Sequence, residues 1–272
     1  MSKLKDGIFD TGMGTIAYSH IGHGTPLLLI HGFPEFRGIW ETVANHLADR
    51  FSLVMPDLPG FGESSAPEQR MNMRADGLGG QLDMLMGDLG YRRYSVVTHD
   101  IGAVVGWWLA ACRPRAVDRL TLVGAVAPLD YLSAIHSLDA EGRRTHVSKL
   151  LAGDPIFLST DTLLGWLNEP ILKSELVQAF KRGSISAMQA LYQQNLVIEA
   201  VPFWTTIPQP EKLCRILGKD DPFVPPTMFS TGYGHTICLD GVGHFLPTVC
   251  PKILARFIAN FNITNDPWKQ AQ

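Results

Sequence analysis

The 272 residues are 46% hydrophobic and 18% charged, with a formal net charge of −3 at pH 7, a balance that supports a large buried core and excludes a disordered chain. The length exceeds the usual domain of about 100 to 200 residues, so one core carrying one subordinate unit is expected. Lys and Arg are scattered without a basic face, which argues against nucleic acid as a partner, and the longest apolar stretch, residues 101–112, falls short of the roughly 20 residues that cross a bilayer, so no membrane partner is expected.

In chain order, Met1-Ser2-Lys3-Leu4-Lys5-Asp6 lacks the apolar centre of a secretory signal. Strands are predicted at residues 7–10 and 15–21, then at the continuous apolar run 26–30, which suits a strand buried on both faces. Ile39, Trp40, Val43, Leu47 and Ala48 stand at helical spacing within 37–49, and residues 51–55 return to a strand pattern, completing a βαβ unit. The turn-rich segment 57–65 reads as a connecting loop and leads through a Met-rich helical region to a strand at 94–98. A helix at 101–113 and a strand at 119–124 extend the parallel sheet.

From about residue 128 the alternation stops, and Leu-rich helical segments with Trp166, Tyr192 and Trp204 follow. The expected organisation is a core of residues 1–127 and 206–272 interrupted by a helical cap, 128–205. Strands resume at 213–217 and 235–239, and one amphipathic helix is predicted over 247–261. The four cysteines, Cys112, Cys214, Cys238 and Cys250, have neither metal-ligand spacing nor a compact disulfide framework, so reduced thiols in a cytoplasm, and no metal site, are expected.

The strand at 94–98 runs through His99-Asp100-Ile101-Gly102-Ala103 directly into a helix. So tight a turn strains its apex and demands small neighbours two places away, here Thr98 and Gly102. It would project the Asp100 carboxylate at the C-terminal edge of the sheet, near the positive end of the helix. On the turn alone, a helix-capping role for Asp100 is an equal alternative.

Directly after residue 30 stands His31-Gly32-Phe33-Pro34-Glu35, and later Leu217-Gly218-Lys219-Asp220-Asp221 and Gly241-Val242-Gly243-His244-Phe245 each follow a strand. With these motifs the chain resembles the α/β-hydrolase fold superfamily, in its epoxide hydrolase and haloalkane or haloacid dehalogenase branch, across nearly all of its length outside the cap. The resemblance implies a mostly parallel, doubly wound sheet and a catalytic set in the order Asp100, Asp221, His244. It implies an oxyanion hole from the backbone N–H groups of Phe33 and Ile101, and it selects Asp221 over Asp220, which becomes a surface loop residue.

A carboxylate at the nucleophile position is already ionised at neutral pH, with an ordinary pKa near about 4. Attack on an acyl carbon would give a mixed anhydride, whereas attack on a saturated carbon gives an alkyl ester. An epoxide or a carbon–halogen bond therefore fits, with water activated by His244 and Asp221 releasing the product. The segment Ser186-Ala187-Met188-Gln189-Ala190-Leu191-Tyr192 is similar to an epoxide hydrolase cap segment, which makes Tyr192 the expected donor to the opening oxygen.

The chain departs from these families in two respects. Ile101 stands where many epoxide hydrolases and haloalkane dehalogenases carry Trp and fluoroacetate dehalogenases carry Arg, and His146 lies near the place of a second cap Tyr. Tyr131 is the candidate substitute, and His31, Tyr131, His146 and Trp166 are the expected substrate-binding residues; Trp204 and His136 are further candidates for the pocket lining. The expected enzyme is a cofactor-independent hydrolase acting on a small apolar organic substrate and water, with a homodimer admissible. The alternatives are a dehalogenase, a biosynthetic enzyme reusing the pocket, and a non-catalytic small-molecule receptor.

Overall fold

The computed structural model describes residues 3–140, 146–165, 167, 170–225, 228 and 233–263. Strands β1 (Lys5–Asp10), β2 (Thr15–Gly22), β3 (Thr25–Ile30), β4 (Phe51–Pro56), β5 (Tyr94–His99), β6 (Val117–Val123), β7 (Leu213–Gly218) and β8 (His235–Leu239) form one sheet in the order β1-β2-β4-β3-β5-β6-β7-β8. The pairs β1–β2 and β2–β4 are antiparallel, and every later pair is parallel. All six residues of β4, β5 and β7 are buried, as expected of parallel strands covered on both faces. The fold is the α/β-hydrolase fold.

Helices α1 (Glu41–Leu47), α2 (Ala75–Asp88) and α3 (Gly102–Cys112) belong to the core. Between β6 and β7 come α4 (Pro128–Ala140), α5 (His146–Leu151), α6 (Thr160–Leu164), α7 (Pro170–Arg182), α8 (Ile185–Asn195) and α9 (Val201–Thr206), and α10 (Leu246–Val249) and α11 (Pro251–Ile263) close the described chain. Leu78, Leu82 and Leu85 of α2 pack with Val105 and Leu109 of α3 on one face of the sheet. On the other, Val43 and Leu47 of α1 pack with Leu254 and Ile258 of α11. Helix α3 is buried nearly all round, which accounts for its lack of a polar stripe.

Two predicted helices are broken. Residues 37–40 form a 3₁₀ turn ahead of α1. The single helix expected at 247–261 is two, because the Pro251 ring excludes the helical region for the residue before it, and Cys250 sits at φ −136°, ψ 50°. The loop at 57–65 does more than connect. Asp57, wholly buried, accepts the backbone N–H groups of Arg37 at 2.7 Å and Glu63 at 2.9 Å and the Arg37 guanidinium. Its Gly60, at φ +82°, offers its carbonyl to Ser184 N at 2.8 Å, and a Cβ there would overlap Ala187. The loop thus seats the start of α8.

The other end of α8 is tied down by Asn195. This fully buried amide accepts Ala75 N–H at 2.9 Å and donates to the carbonyls of Met73 at 2.8 Å and Leu191 at 2.7 Å. The backbone carbonyl of Asn195 in turn accepts the Trp204 indole N–H at 2.8 Å. Among the described residues no helix is long and apolar enough to cross a membrane.

Candidate active site

Strand β5 delivers Asp100 at φ +50°, the one positive φ at a non-glycine among the described residues. That is the strained apex the tight strand-to-helix turn requires. The turn is possible because Gly32 lies against it: a Cβ on Gly32 would overlap Asp100 Cβ. The side chain accepts the Phe33 backbone N–H on Oδ1 at 3.0 Å, and Oδ2 lies 3.3 Å from His244 Nε2.

His244 turns its other nitrogen to Asp221, Nδ1 to Oδ2 2.7 Å, and Asp221 Oδ1 is held by the backbone N–H groups of Phe223 at 2.8 Å and Val224 at 2.9 Å. Asp221 is buried, whereas its neighbour Asp220 is exposed. Asp100, Asp221 and His244 are therefore assembled from the ends of β5, β7 and β8.

Electrostatics fix their charges. Burial alone would raise the Asp100 pKa, but the hydrogen bond and charge of His244, the charge of His99 and the Ile101 backbone N–H hold it far below the usual carboxylate range. Burial likewise opposes a charge on His244, yet the hydrogen bonds and charges of Asp100 and Asp221 win and push it up to about 10. Both shifts favour an imidazolium at His244 beside an ionised Asp100 at neutral pH.

A buried pair behind this set escaped the sequence reading. His99 Nδ1 meets Glu35 Oε2 at 2.9 Å and its Nε2 donates to the His244 backbone carbonyl at 2.9 Å, while Glu35 Oε2 also accepts Gly32 N–H at 2.7 Å. With His99 Nε2 donating, Glu35 faces the other nitrogen. The two side chains connect the loop carrying Phe33, the turn carrying Asp100 and the backbone of His244. The signal was a His and a Glu in segments otherwise suited to an apolar interior.

Two cavities open on Asp100, with empty volumes of about 340 and 480 Å³. The smaller is aliphatic, with Ile101, Val104, Val126, Leu196 and Val224 in its wall beside Tyr131. The larger is aromatic, with Phe33, Phe157, Phe223 and Phe245 beside His146 and His244. Tyr192, on α8, borders both and faces the Asp100 carboxylate; burial first, then the charge of Asp100, pushes its phenol pKa well above 10. Tyr131, in the first turn of α4, is raised likewise by burial and by Asp100 and Asp221, and its hydroxyl lies 2.7 Å from His146 Nε2.

His31 is fully buried behind the loop, its Nδ1 donating to the Gly32 carbonyl at 2.8 Å and its Nε2 accepting Leu58 N–H at 2.9 Å, and it borders neither cavity. Burial lowers its pKa, in keeping with that neutral tautomer. Trp204 and His136 also lie outside both walls, and Trp166 falls outside the described residues. Among the described residues, no group of acidic, His and Cys side chains is arranged to hold a metal ion.

The sequence profile of the alpha/beta hydrolase fold family matches residues 25–232. Human epoxide hydrolase 4 is 35% identical over 106 residues, 39% of this chain and 29% of that protein, so the match spans under a third of the relative's length. A fluoroacetate dehalogenase of Burkholderia sp. is 28% identical over 171 residues, 58% of this chain and 56% of that protein. The crystal structure of epoxide hydrolase VrEH1 from Vigna radiata superposes with a TM-score of 0.78, covering 95% of this chain and 97% of that one at 18% identity. The chain belongs to the α/β-hydrolase fold family and resembles its epoxide hydrolase-like branch.

Proposed function

We propose that the protein hydrolyses epoxides of small apolar organic molecules in two steps. Asp100 attacks a ring carbon to form an alkyl ester while a phenol protonates the departing oxygen; water activated by His244, oriented by Asp221, then hydrolyses the ester. The observation that carries this reading is the meeting of two opposite tools at one point. An ionised carboxylate stands at the apex of the turn, and the buried phenol of Tyr192 and the half-buried one of Tyr131 line the same cavity beside it. A carboxylate supplies an electron pair without a base, and the oxygen released from an epoxide needs a proton.

The electrostatics support a division of the two steps. While Asp100 is an anion, His244 is protonated and is no base. Esterification removes that neighbouring charge, so the His244 pKa falls and the ring becomes able to take a proton from water. The backbone N–H of Phe33, already 3.0 Å from Asp100 Oδ1, together with that of Ile101, is suited to hold the oxyanion formed when water attacks the ester carbon. Cavities walled by aliphatic and aromatic groups suit an apolar substrate, and among the described residues their walls carry neither Arg nor Lys to hold the carboxylate of a haloacid.

The test uses the variant His244→Gln. With an epoxide panel, intact-protein and peptide mass spectrometry should find a stable adduct on Asp100, and single turnover of the wild type in oxygen-18 water should put Asp100 oxygen, not label, into the first product. Absence of any adduct, together with label in that first product, overturns the ester route. Halide release from a haloalkane or haloacid panel without epoxide turnover would favour the dehalogenase instead.

A further inference from the structure

Helix α4 begins the insertion between β6 and β7, and α5 follows it; the first turn of one brings Tyr131, and the first residue of the other brings His146, to an Oη–Nε2 distance of 2.7 Å. Tyr131 borders the aliphatic cavity and His146 the aromatic one, so their hydrogen bond bridges the two spaces that meet at Asp100. A phenol has one hydrogen. If Tyr131 gives it to His146, nothing remains for a substrate oxygen; if His146 donates from Nε2, the Tyr131 hydrogen is free to point into the cavity.

We propose that His146, as the imidazolium, is the proton source behind Tyr131 in epoxide opening, which makes it a positioning and relay residue acting through the phenol. This rests on the epoxide reading above. As the bond from Asp100 Oδ to carbon forms and the carbon–oxygen bond of the ring breaks, the electron pair left on oxygen takes the Tyr131 hydrogen. The Nε2 hydrogen of His146 moves onto Tyr131 Oη, leaving a neutral imidazole that is reprotonated from water before the next turnover. No phenolate forms at any point.

The need for such a relay follows from the surroundings. Tyr131 is half-buried, and desolvation of its hydroxyl first, then the nearby carboxylates Asp100 and Asp221, make a phenolate there costly and raise its pKa well above 10. A proton held 2.7 Å behind the phenol removes that cost. The position of Phe223 keeps this acid arm apart from the base arm. Its ring is edge-on to His146, centroids 5.0 Å apart, and to His244, 5.1 Å apart. Its backbone N–H is anchored on Asp221. The imidazole that takes a proton from water in the second step and the one that gives a proton in the first thus stand on either side of an apolar ring.

The experiment compares 1,2-epoxypropane with 1,1,1-trifluoro-2,3-epoxypropane, whose alkoxide is far less basic and needs a donor less. Formation of the Asp100 adduct is followed by rapid-quench mass spectrometry in the His244→Gln background, alone and combined with His146→Phe, His146→Gln or Tyr131→Phe. His146→Phe keeps a ring against Phe223, and His146→Gln keeps an N–H donor with no transferable proton. Both are expected to slow adduct formation about 100-fold with 1,2-epoxypropane, at the lower end of the range for general acid catalysis. With the trifluoro substrate the slowing should be only a few fold, and adding Tyr131→Phe to either should cost nothing more. Equal slowing with both substrates, or rates within twofold of the His244→Gln parent, overturns the relay while leaving the epoxide reading intact. If His244→Gln alone forms no adduct with any epoxide, the epoxide reading fails and the relay with it.

Discussion

At the scale of single residues, the site depends on groups that never touch a substrate. Glu35 and His99 are buried: Glu35 accepts the Gly32 N–H at the head of the Phe33 loop, and His99 donates to the carbonyl of His244, which also accepts the Leu246 N–H at 3.0 Å. Replacing Glu35 by Ala leaves the Gly32 N–H and a His99 ring nitrogen without that acceptor in a dry interior, at about 1–3 kcal/mol for each lost partner. A destabilisation of roughly 2–6 kcal/mol is expected in urea unfolding, with a fall in turnover as the Phe33 N–H loses its fixed position. Glu35→Gln keeps an acceptor for Gly32 and should recover part of both. A loss below about 0.5 kcal/mol for Glu35→Ala would show that the pair carries no such load.

At the scale of elements, α8 is where structure and chemistry meet, because it carries Tyr192 and is fastened at both ends. Asn195 makes three side-chain hydrogen bonds, two of them across to the segment that opens α2. At about 0.5–1.5 kcal/mol for each of the three net bonds, Asn195→Ala should cost roughly 1.5–4.5 kcal/mol. It should also speed hydrogen exchange at the Ala75 amide and lower turnover by freeing α8. Unchanged exchange at Ala75 would sink that account. None of this fastening was legible from the sequence, since Asn195 and Gly60 are joined to their partners across long separations that leave no local pattern. What was legible was local. The run of apolar residues in β3, the strand-turn-helix around Asp100 and the Gly-rich approaches to Asp221 and His244 each carry their period or turn chemistry within a few residues. Tyr131 could be named but not placed, because the α4–α5 geometry that sets it against His146 is decided by packing within the insertion. His31 looked like part of the pocket because it opens the loop motif, yet its ring points back to Leu58 N–H.

At the scale of the whole molecule, the charge arrangement makes stability depend on pH in a predictable sense. In the unfolded chain His244 titrates near its ordinary value of 6.5, while in the folded protein the carboxylates of Asp100 and Asp221 raise it to about 10. The folded state therefore binds a proton that the unfolded state releases between those values, and stability must decline as pH rises through that window. The contribution is complete below about 6.5, diminishes steadily above it and is gone past about 10. On the acid side the sign reverses: the folded pKa of Asp100 is depressed, so its share is present above the ordinary 3.8 and is lost as the pH falls below that value. Other groups also favour unfolding in alkali, since burial raises the thiols of Cys214 and Cys250 and the phenol of Tyr94, so the wild-type curve alone cannot isolate His244. The difference between wild type and His244→Gln can, because those groups are common to both. Chemical denaturation at intervals from pH 6 to 10.5 should show the wild-type advantage over His244→Gln shrinking with every step above about pH 6.5. A difference that stays constant across the range would mean that His244 is not held as an imidazolium, and the two-step assignment of acid and base would have to be redrawn.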